Sequence, residues 1–442
     1  MRYLFTFFFV LPAALVQAAG AGTFFPYPYQ QETLPNGLKA IVIPMSSPGL
    51  VAYFTVVRTG SRDEVEPGKS GFAHFFEHMM FRGTKKYPGP VYDSLVTGMG
   101  AKSNASTTDD FTQFFMTVAK ENLEKVIELE SDRFQNLSYA KPAFQTEAGA
   151  VYGEYRKDVT NPFFLLEEKL ADRAYDAHTY KHTTMGFEAD VKAMPEAYDY
   201  SLSFFQRFYR PENVVILVVG DVEAKSTFAL IRKYYSGWKK GYTSAKITPE
   251  PPQTAERGVD VSYPGKTLPI LCMAYKGAAF DAENRDFAAA RLLCSLAFGE
   301  TSELYKKLVI REQKAQFLFA DVSMNRDVPL WSIAAMVKNP EDIDSVQKDI
   351  EETIKKFQSA PVSEQKLADV KRHDKYELLD RLDSPERVAE ALTRYIALTG
   401  GIEALDQLYA TYESVTPEDI LRAAKEYYRP ERRTIAVLKG EK

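Results

Sequence analysis

Two imidazoles and a carboxylate fall within five consecutive residues, His74-Phe75-Phe76-Glu77-His78. Residues four apart share one face of a helix, so on a helix both rings reach the same point in space. Two neutral imidazoles with a further carboxylate make a ligand set for zinc, which leaves a fourth position to water and brings that water's pKa towards 7. Glu77 adjoins His78 and lies one turn from His74, at the edge of such a site without being forced to ligate. A carboxylate there is placed to take a proton from water and hand it to a leaving group. The chain has only five histidines, and two of them occur at this spacing with a glutamate between. The pattern points to metal-assisted hydrolysis rather than to an ordinary amphipathic helix.

The elements that must position these residues are legible around them. Residues 40–44 and 51–58, rich in Val, Ile, Tyr and Phe, read as strands, and a helix over 71–81 carries the motif. Residues 111–118 alternate like a strand. Residues 123–135, 143–156, 163–175 and 190–208 have helical spacing, and 214–219 is a continuous apolar run typical of a buried strand. The chain also repeats itself. Tyr209-Arg-Pro-Glu-Asn is echoed by Tyr428-Arg-Pro-Glu-Arg, an offset of 219 residues, and the strand leading into Gly60 by that leading into Gly277, an offset of 217. The expectation is an α+β protein of two homologous domains, residues 22–238 and 258–442, each a mixed sheet with helices. The proline-bearing stretch 239–257 joins them.

The segment Gly71 to Gly89, GFAHFFEHMMFRGTKKYPG, resembles the zinc helix and following loop of the inverzincin peptidases, the pitrilysin, insulinase and mitochondrial processing peptidase group, whose HxxEH order inverts HExxH. The resemblance extends over nearly the whole chain. It implies that Glu154, 76 residues beyond His78 in EAGAVYGEYRKD, is the third zinc ligand beside His74 and His78. It implies that Glu77 is the catalytic base and that Glu147, seven residues before Glu154, assists from the same helix face. It implies that Asn104 and Ala105 lie on an edge strand to which an extended peptide adds by main-chain hydrogen bonds. One zinc ion per chain is the expected cofactor and a peptide the expected substrate. A second histidine pair, His178 and His182, has no carboxylate between its members and reads as a structural or substrate-facing loop. His373 reads as a surface residue.

The second half departs from the family. An offset of 217 carries His74, Glu77 and His78 onto Arg291, Cys294 and Ser295, which cannot hold zinc. Relatives with a working C-terminal half place an Arg and a Tyr after a Gly-x-x-Ser-x-Leu segment. That segment stands here as Gly299 to Leu304, but the Arg position falls on Val309 and the Tyr position on Gln316 or Phe317, with Arg311 two residues off. The resemblance implies half of a clamshell and hence a dimer; the missing pair points to a homologous partner that supplies it, with a homodimer in which the pair is dispensable as the other arrangement. A catalytically inert assembly subunit of the same fold is the alternative, and the complete HxxEH set argues against it.

Composition narrows the setting. With 45% hydrophobic and 26% charged residues the chain is neither disordered nor a repeat fibre. A net charge of −5 with no basic block excludes nucleic acid as the expected partner. Residues 1–18 carry Arg2, an apolar run and the small-residue site Val16-Gln17-Ala18, which reads as a signal peptide too short to span a bilayer. The expectation is an exported, periplasmic protein of the bacterial envelope without a stable membrane span. The two cysteines, Cys272 and Cys294, lie in apolar surroundings and read as free thiols.

Overall fold

The computed structural model describes residues 15–17 and 24–441. The expected signal segment lies outside the described residues apart from the backbone of 15–17. Twelve strands are described: β1 Leu15–Gln17, β2 Tyr29–Thr33, β3 Lys39–Pro44, β4 Leu50–Val57, β5 Lys102–Thr107, β6 Thr112–Ala119, β7 Val214–Gly220, β8 Arg257–Tyr263, β9 Ile270–Lys276, β10 Ala315–Asp321, β11 Leu330–Val337 and β12 Arg433–Gly440. They form one sheet of order β1-β2-β3-β7-β4-β6-β5 and another of order β10-β11-β9-β12-β8.

The two sheets share a five-strand plan. β3 runs parallel to β7 and β8 parallel to β12. β4 is antiparallel to β7 and β6, as β9 is to β12 and β11. β5 and β10 are the matching outer edges. The repeat seen in the sequence is therefore a repeat of topology.

The first half carries helices α1 Phe72–Met79, α2 Gly89–Gly98, α3 Leu123–Asn136, α4 Lys141–Asp158, α5 Pro162–Ala174, α6 Glu188–Ala193, α7 Tyr198–Phe208 and α8 Ala224–Tyr235. The second carries α9 Arg285–Phe298, a short α10 Glu303–Tyr305, α11 Ile343–Ser359, α12 Glu364–Asp380, α13 Pro385–Thr399, α14 Glu403–Ser414 and α15 Pro417–Tyr427. The single helix expected over 190–208 is in fact two. Pro195 cannot donate a backbone hydrogen bond and clashes with the preceding turn, so α6 ends in a 3-10 turn at Met194–Glu196 before α7 starts.

β7 is buried along its whole length, which requires cover on both faces. Alternate residues supply it. Val214, Ile216 and Val218 pack among the helices of their own half. Val215, Leu217 and Val219 join a core with Val388, Leu392 and Ile396 of α13 from the second half. The exchange is mutual, since Leu166 and Leu170 of α5 pack on Ile270, Cys272, Ala274 and Leu438 of the second sheet. Each sheet is thus roofed by a helix of the other half.

Residues 239–256 contain no helix or strand, yet they are tied down. Glu250 accepts backbone N–H bonds from Asp176, Ala177 and His178, and the Gln253 amide donates to the Arg433 carbonyl at 2.7 Å. Both cysteines are free, and burial pushes each thiol up to about 12.

Candidate metal centre

α1 places His74 and His78 one turn apart on the face that meets α4. The helix begins sharply, with Gly71 in the left-handed region at φ +90°. A Cβ there would lie 2.7 Å from the Met185 carbonyl, so only glycine fits. The buried carboxylate of Glu64 then accepts from the backbone N–H of Gly71 at 2.7 Å and of Ala73 at 2.6 Å. It fills the role a capping side chain plays for the unpaired donors of a first helical turn.

The ligand atoms of His74, His78 and Glu154 lie within 4.8 Å of one another, the one such group of three or more His, Cys, Asp or Glu side chains among the described residues. Glu154 Oε2 stands 3.1 Å from His78 Nε2 and 3.8 Å from His74 Nε2. Behind His78, Glu147 Oε1 lies 3.1 Å from Nδ1, and Arg82 pairs with the other oxygen of Glu147. That contact assigns the ring proton to Nδ1 and leaves the Nε2 lone pair facing Glu154, the arrangement found in metal-binding histidines. Burial and the neighbouring His78 push the His74 pKa down to about 4, so His74 is a neutral donor. The hydrogen bond to Glu147 and the nearby carboxylates raise the His78 pKa; groups that attract a proton there also attract a cation. His74 Nδ1 is buried without a hydrogen-bond partner among the described residues. A donor set of two imidazoles and one carboxylate with an open side fits zinc.

Glu77 projects to the rim of this cluster. Its Oε2 accepts a 2.6 Å hydrogen bond from the Thr107 hydroxyl at the end of β5. Burial raises its pKa against the opposing pull of Thr107 and His78, which suits a group that must take up a proton. Among the described residues β5 is the outer strand of its sheet. Ala105 points inward and is buried, while Asn104 is exposed beside it, as period-two alternation demands.

Sequence reasoning missed Thr107, Arg82 and Glu64. Arg82 lies four residues beyond His78, a helical spacing that marks it as a neighbour. Thr107 sits just after the Asn-Ala pair on its strand. Glu64 carries no local signal, because its partners come from a loop closing on a helix end.

The remaining residues sort by position. His178 and His182 do not form a second metal cluster. His178 Nδ1 accepts from the backbone N–H of Tyr180 at 3.0 Å, which leaves Nε2 to donate to Asp327 of the second half at 3.0 Å. Asp327 also pairs with Arg62 at 2.5 Å, and the Tyr180 hydroxyl donates to Asp110 at 2.7 Å. His182 is buried beside the Thr183 carbonyl, and His373 is exposed. The loop carrying the histidine pair is a clasp between the halves. In the second half Arg311 is exposed and pairs with Glu303 at 3.5 Å, while Gln316 is exposed near the start of β10.

Residues 47–188 match the family model described as insulinase, peptidase family M16, and residues 197–373 match the peptidase M16 inactive domain. The chain belongs to the M16 family. It is 28% identical over 421 residues to the zinc protease PqqE of Helicobacter pylori, covering 93% of each chain. The crystal structure of a protease from Helicobacter pylori superposes with a TM-score of 0.87 at 27% identity, over 94% of this chain and all of that one. The periplasmic protease PqqL of Escherichia coli gives 0.76 at 19% identity and shares the fold over 97% of this chain, which spans only 48% of PqqL. The second of the two M16 models, the inactive domain, covers the half in which Arg291, Cys294 and Ser295 stand at the motif positions. No helix among the described residues is long and apolar enough to cross a membrane.

Proposed function

We propose that this chain is a zinc-dependent metallopeptidase that hydrolyses unfolded peptides or small proteins. The observation that carries the reading is Glu77, held by Thr107 at the open side of the His74, His78 and Glu154 cluster. Zinc held by those three side chains would polarise a water and the scissile carbonyl. Glu77 accepts the proton of the attacking water and delivers it to the departing amide nitrogen. Thr107 fixes the carboxylate so that one oxygen stays free for this transfer. Glu147, braced by Arg82, keeps the His78 ring in its donor orientation. An extended peptide pairs with the free edge of β5 along Asn104 and Ala105, a mode that binds main chain and tolerates varied side chains.

The working unit is a dimer, with a homologous partner supplying the Arg and Tyr that Val309 and Gln316 do not. The length of PqqL, about two such chains, supports this reading. Export to the periplasm accords with the amino-terminal signature. Against the inert-subunit alternative stands the complete set of His74, Glu77, His78 and Glu154.

The test is Glu77→Gln in the purified protein with a quenched fluorescent peptide. Zinc content equal to wild type with a kcat lower by about 10²–10⁴-fold is expected. Full activity in the variant rules Glu77 out as the base. Full activity of the single chain, equal to that of a co-expressed homologous pair, rules out the partner.

A further inference from the structure

The two ends of β5 are held by different halves of the molecule. Successive residues of a strand face opposite sides of its sheet. On one side Thr107, in the last pair of the β5–β6 ladder, meets Glu77 of α1. On the other side Lys102 stands directly opposite Thr117 in the first pair of that ladder. One carboxylate of the second half takes both members of this pair. Glu386 Oε1 lies 2.5 Å from Lys102 Nζ, and Glu386 Oε2 accepts from the Thr117 hydroxyl at 3.0 Å.

Glu386 stands in the first turn of α13, and other contacts fix that helix over the first sheet. Val388, Leu392 and Ile396 pack against β7 in a common core. At the far end of α13 the Ala397 carbonyl accepts from Arg58 Nε, just past β4, at 2.9 Å. Arg326 donates to the same carbonyl at 2.8 Å. α13 is thus a beam across the sheet, anchored at its carboxyl end, with Glu386 reaching the β5 edge from the other. β5 has six residues and pairs on one side only among the described residues, which leaves its outer groups open to another strand. An edge that frays before a peptide arrives adds its own ordering cost to binding. The corresponding outer strand of the second sheet, β10, carries no Lys or Arg with which α5 could do the same.

We propose that Glu386 is a positioning residue that clamps the start of β5 and keeps the peptide-binding edge in register as far as Lys102. The half without a metal motif thereby takes part in substrate binding, through the strand rather than through zinc. This deepens the hydrolytic reading and rests on it.

The test compares Glu386→Ala with wild type on two quenched fluorescent peptides. One has about twelve residues and can pair along all of β5; the other has about four and, at roughly 3.4 Å per residue, covers only part of it. For the long peptide KM rises about two- to tenfold, the scale of one exposed ion pair with one hydrogen bond, while kcat and zinc content hold. The short peptide's KM does not change. Amide exchange read by mass spectrometry quickens in β5 and not in α1. Glu386→Gln keeps an acceptor for Thr117 but loses the ion pair, so it shows a smaller rise, and it replaces the alanine variant if that does not fold. A long-peptide KM equal to wild type, a rise shared equally by the short peptide, or unchanged exchange in β5 overturns the proposal and leaves the hydrolytic reading standing. Zinc-loaded wild-type protein that hydrolyses neither peptide, alone or with a homologous partner, overturns the hydrolytic reading, and the proposal falls with it.

Discussion

His78 is gripped from two sides. Glu147 accepts a hydrogen bond from its Nδ1 and Glu154 faces its Nε2. Removing an outer partner of a metal-binding histidine typically weakens metal affinity 10- to 100-fold. Glu147→Ala is therefore expected to raise the zinc dissociation constant by about that factor while the fold persists, measured by competition with a chromogenic chelator. Thr107→Val is a milder change. It frees the Glu77 carboxylate and is expected to lower kcat by about tenfold with little effect on zinc content, since the loss is one oriented hydrogen bond to a charged group. These two outcomes separate residues that hold the cation from those that handle the proton. The clustering of His74, His78 and Glu154 was legible from spacing and resemblance, because i, i+4 histidines announce a shared helix face. Thr107 and Glu64 were not, because tertiary closure alone brings them to α1.

Among the elements, α1 tolerates little change at its start. Gly71 stands at φ +90° with the Met185 carbonyl where a Cβ would go. Gly71→Ala is expected to cost about 2 kcal/mol or more, through left-handed strain plus the clash, seen as a lower denaturant midpoint. The strands of the sequence reading agree with the structure to within a residue or two, because β4 and β7 are buried almost throughout and so appear as apolar runs. Apolar periodicity on both sides of Pro195 masks the break within 190–208. What single-sequence patterning does not contain is which helix covers which sheet, since α5 and α13 are amphipathic whatever half they pack against.

At the scale of the molecule, that exchange makes the halves mutually dependent. Residues 24–238 alone lack α13, leaving Leu217 and Phe54 uncovered. The first half expressed by itself is expected to aggregate, and co-expression with residues 239–442 to restore soluble protein, judged by gel filtration. The clasp adds a pH dependence. Burial would raise the Asp327 pKa, but His178 and Arg62 outweigh it and hold the carboxyl down to about 2. A carboxylate lowered in the folded state stabilises fully above its unfolded value near 4, and the contribution is lost as pH falls through about 2. Asp327→Asn is expected to flatten the fall in stability between about pH 4 and 2, followed by denaturation midpoints across that range.

The most direct test of the account is the zinc content of the purified chain beside Glu154→Ala. It needs neither partner nor substrate. One zinc per wild-type chain, lost in Glu154→Ala while the fold is retained, is the predicted result. A folded wild-type chain that takes up no zinc after supplementation, or a Glu154→Ala variant that binds it as tightly as wild type, contradicts the proposed metal centre.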